Sequence, residues 1–222
     1  MNIAIVEPDT AGRRIEVLRE MLLTLGQRST GTISLVRESN GKQKLESHDG
    51  RKWHCNFSRV RNAPQPFGLV AISNETELGI DVEVWPDSTA DADFLDSIST
   101  FEDARAIRSL ASFDRDAGIA LWVIKEATLK CTGDVMIDPR HLTVSPIRDG
   151  IYRISPNLLA GAPVPDVIVA LFRMKALKWP KTEFLCGVAL PYSDKIVDTA
   201  PTNPVFAGTG WQIMALKTRT HS

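Results

Sequence analysis

One predicted helix near the middle of the chain carries charged residues inside an otherwise apolar run. Residues 121–133 read LWVIKEATLKCTG. At about 100° per residue, Trp122, Glu126 and Lys130 fall nearly in a row along this helix. Lys125 lies on the adjoining edge of the same face. A Glu–Lys pair four residues apart is also an ordinary surface ion pair worth about 0.3 to 0.5 kcal/mol, but the aromatic ring one turn away favours a partly enclosed site.

A second stretch, GIDVEVW at residues 79–85, places two carboxylates side by side. In a strand, Asp81 and Glu83 point to the same face, because side chains alternate between the two faces. Neighbouring carboxylates repel each other unless a cation holds them, so the stretch is either a solvated acidic face or part of a site. Together with Glu126 they would form an all-oxygen site, which suits Mg²⁺.

The composition narrows the class of protein. The chain has 222 residues and a formal net charge of -1, which argues against indiscriminate nucleic-acid binding. Neither a signal-peptide pattern nor an apolar run of roughly 18 residues is present, so we expect a cytoplasmic protein with no membrane partner. The scattered Cys55, Cys131 and Cys186 suggest neither a zinc site nor a disulfide framework.

Strand and helix patterns are mixed along the chain without regular alternation. This arrangement favours an α+β fold over a doubly wound parallel sheet. Thr100 or Ser99 is expected to cap a helix, and Gly133 to end the helix that carries Lys130. The tail from Ser193 onward is polar, and we expect it to be loose. The predicted helices cover 11–26, 94–110 and 121–133, and the predicted strands lie at 2–6, 32–39, 53–58, 67–73, 77–85, 141–155, 167–177 and 183–191.

The two chemical stretches, in this order, resemble the signature of the 4'-phosphopantetheinyl transferases of the larger, monomeric class that activates surfactin synthetase. That signature is a G-[IV]-D-[IV]-E strand followed by a helix with W-x-x-K-E-[AS]-x-x-K. The chain matches every fixed position, with GIDVE at 79–83 and WVIKEATLK at 122–130. A weaker similarity extends upstream to the helix at residue 11, the NGK turn at 40–42 and NFS at 56–58.

The resemblance implies a fold, an activity and a partner. The fold is a pseudo-dimer of two related α+β halves, residues 1–75 and 76–222, with coenzyme A in the cleft between them. The activity is Mg²⁺-dependent transfer of 4'-phosphopantetheine from coenzyme A to a serine of an apo acyl, peptidyl or aryl carrier protein, with release of 3',5'-ADP. Fatty-acid, polyketide and non-ribosomal peptide pathways all remain open, and the protein is expected to be a monomer.

The resemblance also implies roles for the residues of the second half. Asp81, Glu83 and Glu126 would bind Mg²⁺. Lys130, together with Lys125, would contact the phosphates. Glu126, directly or through a metal-bound water, is also the best candidate to accept the proton of the attacking serine.

The nucleotide side of coenzyme A would be held by the first half. Lys42 matches the family's lysine that would contact a phosphate, and Ser58 matches the first serine of the family's S-H-S motif. The histidine of that motif is replaced by Arg59, which either holds the 3'-phosphate or is an ordinary surface arginine. Arg13 and Arg14 either contact the 3'-phosphate or form a solvated helix face.

Two other functions compete with this interpretation. The altered S-H-S region is compatible with a homologue that binds coenzyme A or a carrier protein with weak or no transfer activity. A metal-dependent phosphohydrolase could share only the three carboxylates. Arg105, Arg108 and Arg115 form either a basic rim for the acidic helix of a carrier protein or a solvated surface.

Overall fold

The structure is a computed structural model, and the predicted α+β class is confirmed. It describes residues 2–6, 10–24, 32–39, 41–60, 67–85, 92–111, 117–133, 137–156, 165–176, 181–192, 206–207 and 211–214. Within these residues the chain forms two sheets and four α-helices. The helices are α1 (Ala11–Thr24), α2 (Ala92–Ile98), α3 (Ala104–Ala111) and α4 (Ala117–Thr132).

The strands follow one another mostly as antiparallel neighbours. The earlier ones are β1 (Asn2–Val6), β2 (Ile33–Arg37), β3 (Gln43–Ser47), β4 (Lys52–Val60), β5 (Phe67–Ser73) and β6 (Gly79–Trp85). The later ones are β7 (Leu142–Arg148), β8 (Ile151–Pro156), β9 (Val167–Ala176), β10 (Glu183–Pro191), β11 (Phe206–Ala207) and β12 (Trp211–Met214).

Each sheet draws mainly on one part of the chain. The first has the order β11-β1-β5-β4-β3-β2 and is antiparallel except where β11 lies parallel to β1. The second has the order β6-β10-β9-β8-β7, and β12 pairs with β9. Because β6 is an edge strand, its outer N–H groups need partners from outside its own sheet.

The elements stack in four layers, with α1 outside the first sheet and α2 to α4 outside the second. Between the sheets, Phe67 of the first packs edge-on against Phe184 of the second, with ring centroids 4.8 Å apart. Ile80 and Val82 of β6 are buried in the same intersheet core. Since side chains alternate along a strand, Asp81 faces the opposite way, toward α4.

Some elements differ from the sequence predictions. The predicted helix at 94–110 is two helices, α2 and α3, separated by a 3₁₀ turn at Phe101–Asp103. Strand β3 was not predicted. The tail expected to be loose contributes β11 and β12. In the part of the chain that is described, no helix is long and apolar enough to cross a membrane.

Candidate active site

Two glycines of the second sheet allow helix α4 to lie directly on it. A Cβ atom at Gly79 would lie 2.0 Å from the Ala127 carbonyl oxygen and 2.5 Å from the Cys131 nitrogen. A Cβ atom at Gly187, which pairs with Asp81 across the sheet, would lie 2.9 Å from Val123 Cγ1. The glycine that opens the GIDVE stretch therefore lets the C-terminal half of α4 approach the backbone of β6.

The end of α4 brings Lys130 over β6. The helix ends at Thr132, and Gly133 follows in a left-handed conformation with φ 83°. The Gly133 N–H donates to the Leu129 carbonyl over 2.9 Å, which is the predicted glycine termination. Lys130 lies in the last turn, where an ammonium also interacts favourably with the helix dipole.

Lys130, Asp81 and Ser58 form one hydrogen-bonded group. Lys130 Nζ lies 2.5 Å from Asp81 Oδ1 and 3.4 Å from Ser58 Oγ. The Ser58 hydroxyl donates to the same Asp81 oxygen over 2.9 Å. The carboxylate and the hydroxyl are almost fully buried, at 3% and 4% exposure, so this contact is shielded from water. It joins the two motifs that the sequence placed far apart.

Strand β4 supplies the missing partners for the edge of β6. The Ile80 N–H donates to Asn56 Oδ1 and the Val82 N–H donates to Ser58 Oγ, each over 3.2 Å. Side chains of the first sheet thus complete the hydrogen bonding of the second sheet's edge strand. Asn56 was not predicted as a functional residue, although it lies two residues before Ser58 and so on the same face of β4.

Two further carboxylates lie near Asp81 and interact with it electrostatically. Burial, and then the negative charge of Asp81, raise the pKa of Glu83 to about 7. Lys130 and a hydrogen bond from Trp122 oppose this shift, and Glu126 adds to it. Burial also raises the pKa of Glu126, with Lys130 lowering it and Asp81 raising it. The group therefore contains more negative charge than Lys130 neutralises.

The carboxylate oxygens of this group are ligands of the type that binds a divalent cation. Asp81 Oδ2 is buried without a hydrogen-bond partner, and the group is made of carboxylates, which hard cations such as Mg²⁺ prefer. As the side chains stand, no three His, Cys, Asp or Glu residues of the described ranges are close enough together to hold a metal ion. The Lys130 ammonium lies against Asp81 instead. The carboxylates fit such a cation by type and charge.

Lys130 also lines a basic pocket of about 150 Å³. Lys42, which ion-pairs with Glu77 at 2.5 Å and is 12% exposed, lines the same pocket. Arg37 of β2 also lines this pocket. The sequence does not indicate it as a site residue, because it only occupies the polar end of a predicted strand. The lining residues are Arg37, Gly41, Lys42, Gln43, Asn56, Phe57, Lys130 and Gly133.

Lys125 lies apart from this group of side chains, and its predicted contact with phosphate stays a prediction. Its side chain is fully buried, and Nζ lies 2.7 Å from the equally buried Asp103 Oδ2. Nζ also donates to the Ile98 carbonyl over 2.9 Å. The ammonium is thus enclosed by protein, with partners at the end of α2 and in the 3₁₀ turn.

The arginines predicted for the nucleotide end occupy different surroundings. Arg13 ion-pairs with Glu16 at 3.0 Å on the outer side of α1. The Arg14 guanidinium lies 4.9 Å from the centre of the Phe57 ring, and Phe57 lines the basic pocket. Arg59 is exposed on β4. Their roles toward a ligand stay predictions, and Arg115 lies outside the described residues.

The part of the chain that contains β6 and α4 is similar in sequence to a known protein family. Residues 77–172 match the family model of the 4'-phosphopantetheinyl transferase superfamily. This domain begins just before β6, includes α4 and ends in β9, so it contains Asp81, Glu83, Glu126 and Lys130. The match spans less than half of the chain. No curated protein matches the sequence.

Proposed function

We propose that the protein transfers 4'-phosphopantetheine from coenzyme A to a serine of an apo carrier protein and releases 3',5'-ADP. The observation that carries this proposal is the contact between Lys130 and Asp81 at 2.5 Å, because it joins both sequence motifs inside the domain that matches the superfamily. We also propose that the chain is of the larger, monomeric class, with the two sheets and their helices as its two halves.

The reaction needs a proton acceptor and a cation near the pyrophosphate. The serine oxygen attacks the β-phosphorus, the new O–P bond forms, and the bond from that phosphorus to the oxygen of 3',5'-ADP breaks. Glu126 is the proposed acceptor of the serine proton, because its carboxylate lies in the same group of side chains, 4.0 Å from Lys130. Lys130 has a side chain that is 23% exposed and lies at both the carboxylates and the basic pocket, and it stabilises the charge that develops on the phosphoryl oxygens.

Asp81, Glu83 and Glu126 would hold the divalent cation of this reaction. When bound, Mg²⁺ would neutralise phosphate charge and orient the pyrophosphate. The chain's own contribution is to keep these carboxylates close together, through the hydrogen bonds from Ser58 to Asp81 and from Trp122 to Glu83. Binding the cation would also relieve their mutual repulsion, since opposite charge favours the ionised form.

The basic pocket is the proposed site for phosphate groups of coenzyme A. Lys42, Arg37 and Lys130 come from different elements and converge on the same volume. Their positive charge favours phosphate over a neutral ligand. The boundary near residue 75 is proposed because it lies between β5 and β6, although β11 returns from the end of the chain to the first sheet.

A surface beside α4 fits a protein substrate. Phe101 is 93% exposed at the 3₁₀ turn, and Arg105 and Arg108 are exposed four and seven residues later, on the same side of α3. This surface is complementary to a partner helix on which acidic residues surround an apolar side chain. The apolar side chain would contact the Phe101 ring, and the acidic residues would pair with the two guanidinium groups. We propose that the carrier protein docks here.

The test is to incubate the purified protein with coenzyme A, Mg²⁺ and a panel of apo acyl, peptidyl and aryl carrier proteins, and to measure the intact mass of each carrier. We expect a gain of one phosphopantetheine that EDTA abolishes. Glu126→Gln should lose this transfer while remaining folded, and Glu16→Gln, an exposed carboxylate of α1, is the matched control that should keep it.

Absence of any mass gain would refute the transfer proposal. A direct measurement of coenzyme A binding would then distinguish the remaining functions. Binding without transfer would favour a homologue that only binds coenzyme A or a carrier protein. Hydrolysis of simple phosphate esters without coenzyme A binding would instead favour a phosphohydrolase.

A further inference from the structure

A fully buried ion pair joins helix α4 to the segment that precedes it. Lys125 and Asp103 both have 0% side-chain exposure, and their charged atoms lie 2.7 Å apart. Taking two charges out of water is costly, and their mutual attraction offsets that cost only with good geometry and further hydrogen bonds. Both conditions are met here, which indicates that the pair has a defined task in the fold.

Asp103 is the centre of a small hydrogen-bonded network. Its Oδ2 accepts from the Thr100 N–H over 3.0 Å as well as from Lys125. Its Oδ1 accepts from the Val144 N–H of β7 over 2.8 Å. Lys125 adds the bond to the Ile98 carbonyl at the end of α2. One carboxylate thus connects α4, the 98–103 turn and the edge of the second sheet.

We propose that Lys125 and Asp103 are positioning residues that fix the rotation of α4, and that Lys125 does not touch substrate. This inference rests on the proposed transfer function. Lys125 directly precedes Glu126, so a rotation of α4 that Lys125 permitted would move the carboxylate by the same angle. On the opposite side Gly79 fixes the distance of the helix from β6. The ion pair and the glycine contact together determine where Glu126 and Lys130 stand.

The alternative is that Lys125 contacts the phosphates of coenzyme A, as the second lysine of the motif. The two roles predict different coupling to Asp103. A phosphate contact would be lost with Lys125 whatever occupies position 103. A buried pair behaves differently, because removing one partner leaves an uncompensated buried charge and removing both charges leaves none.

The first test is a double-mutant cycle of stability, measured by urea unfolding of the full chain. We expect Lys125→Met and Asp103→Asn each to lower the urea midpoint by about 1 to 2 M. The double variant should recover part of that loss, because no unpaired buried charge remains, although the Ile98 carbonyl and one of the N–H groups bonded to Asp103 lose their partners. The matched control is the solvent-accessible pair of the exposed Lys52 and the half-buried Glu46, 2.7 Å apart, where Lys52→Met and Glu46→Gln should each change the midpoint by much less.

The second test is the transfer kinetics of the same variants at a temperature where each is folded. Lys125→Met should reduce kcat about 10-fold to 100-fold with the KM for coenzyme A close to that of the wild type. The double variant should have a higher kcat than the Lys125→Met variant. Recovery of activity together with stability supports positioning, because a lost phosphate contact could not return when Asp103 is changed.

The opposite results would overturn the inference. They are a Lys125→Met variant with wild-type stability and a raised KM for coenzyme A, or a double variant that recovers neither stability nor kcat. A wild-type protein without transfer activity would refute the proposed function instead. In that case the stability cycle alone would still decide whether Lys125 and Asp103 are coupled.

Discussion

Replacing Gly79 by alanine should displace helix α4 from the second sheet. The new Cβ atom would lie 2.0 Å from the Ala127 carbonyl oxygen and 2.5 Å from the Cys131 nitrogen. Both are backbone atoms, so no side chain can swing away to relieve the overlap. Real Cβ contacts are essentially never shorter than 3.0 Å and ordinary ones are 3.4 Å or longer, so the helix must retreat by about 1 Å or more.

The magnitude follows from this displacement. Overpacking a rigid core costs about 1 to 3 kcal/mol, and an overlap with two backbone atoms belongs at or above the upper end of that range. The same shift would move Lys130 off Asp81, where the present distance is 2.5 Å. A misplacement of about 1 Å reduces activity roughly 100-fold. Urea unfolding and the carrier mass assay measure the two effects separately.

Two other glycines provide matched comparisons. A Cβ atom at Gly12 of α1 meets nothing within 4 Å, so Gly12→Ala should leave stability unchanged or raise it by up to about 1 kcal/mol. At Gly187 the overlap is smaller, with a Val123 methyl group at 2.9 Å and the Val123 carbonyl oxygen at 3.1 Å. Gly187→Ala should therefore be intermediate. Equal stability of the Gly79→Ala and Gly12→Ala variants would refute the direct packing of α4 on β6.

Three further predictions concern the site and its surroundings. Glu83→Gln should stabilise the EDTA-treated protein at pH 8 but not at pH 4.5. The pKa of Glu83 rises from 4.5 to about 7 on folding, so ionising it costs stability as the pH rises through this range. The free-energy cost of ionising Glu83 is at most about 3 kcal/mol, and roughly 1 to 2 kcal/mol after allowing for partial solvent access. Equal gains in stability of the Glu83→Gln variant at both pH values would contradict this prediction. Ser58→Ala should lower the free energy of unfolding by about 1 to 3 kcal/mol, because the buried Val82 N–H loses its acceptor, whereas the exposed Ser34→Ala should change it little in the same urea measurement. Phe101→Asp should raise the KM for the carrier protein several-fold while leaving the KM for coenzyme A unchanged, and an unchanged carrier KM would remove Phe101 from the docking surface.

The elements that hold the site could be predicted because their patterns are local. In β6, alternation separates Asp81 and Glu83 from the apolar side chains, and the structure buries Ile80 and Val82 between the sheets as that pattern requires. In α4 the end at Gly133 follows from glycine in a left-handed conformation. Both signals involve residues close together in the sequence.

Other elements could not be predicted because their stability depends on distant partners. Strand β3 reads QKLES, with a single large apolar residue, Leu45, and it is held by pairing with β2 and β4 on either side. The break between α2 and α3 follows from the extended backbone of Thr100 and its bond to Asp103. The sequence indicates Thr100 as a helix cap. The helical spacing starts earlier, at Phe94, and continues past this cap, so it does not show that α2 ends at Ile98.

The two motif lysines show why a charged residue cannot be assigned to a site from a motif alone. Lys125 and Lys130 are five residues apart, which separates them by about 140° around the helix, so they cannot both face β6. Which of them does is decided by their partners. Asp81 lies on the sheet beside Lys130, whereas Asp103 is buried in a turn that the sequence presents only as an acidic helix start. Because a buried ammonium requires a buried carboxylate, the position of Asp103 accounts for the burial of Lys125, whereas Lys130 lies beside Asp81 and lines the basic pocket.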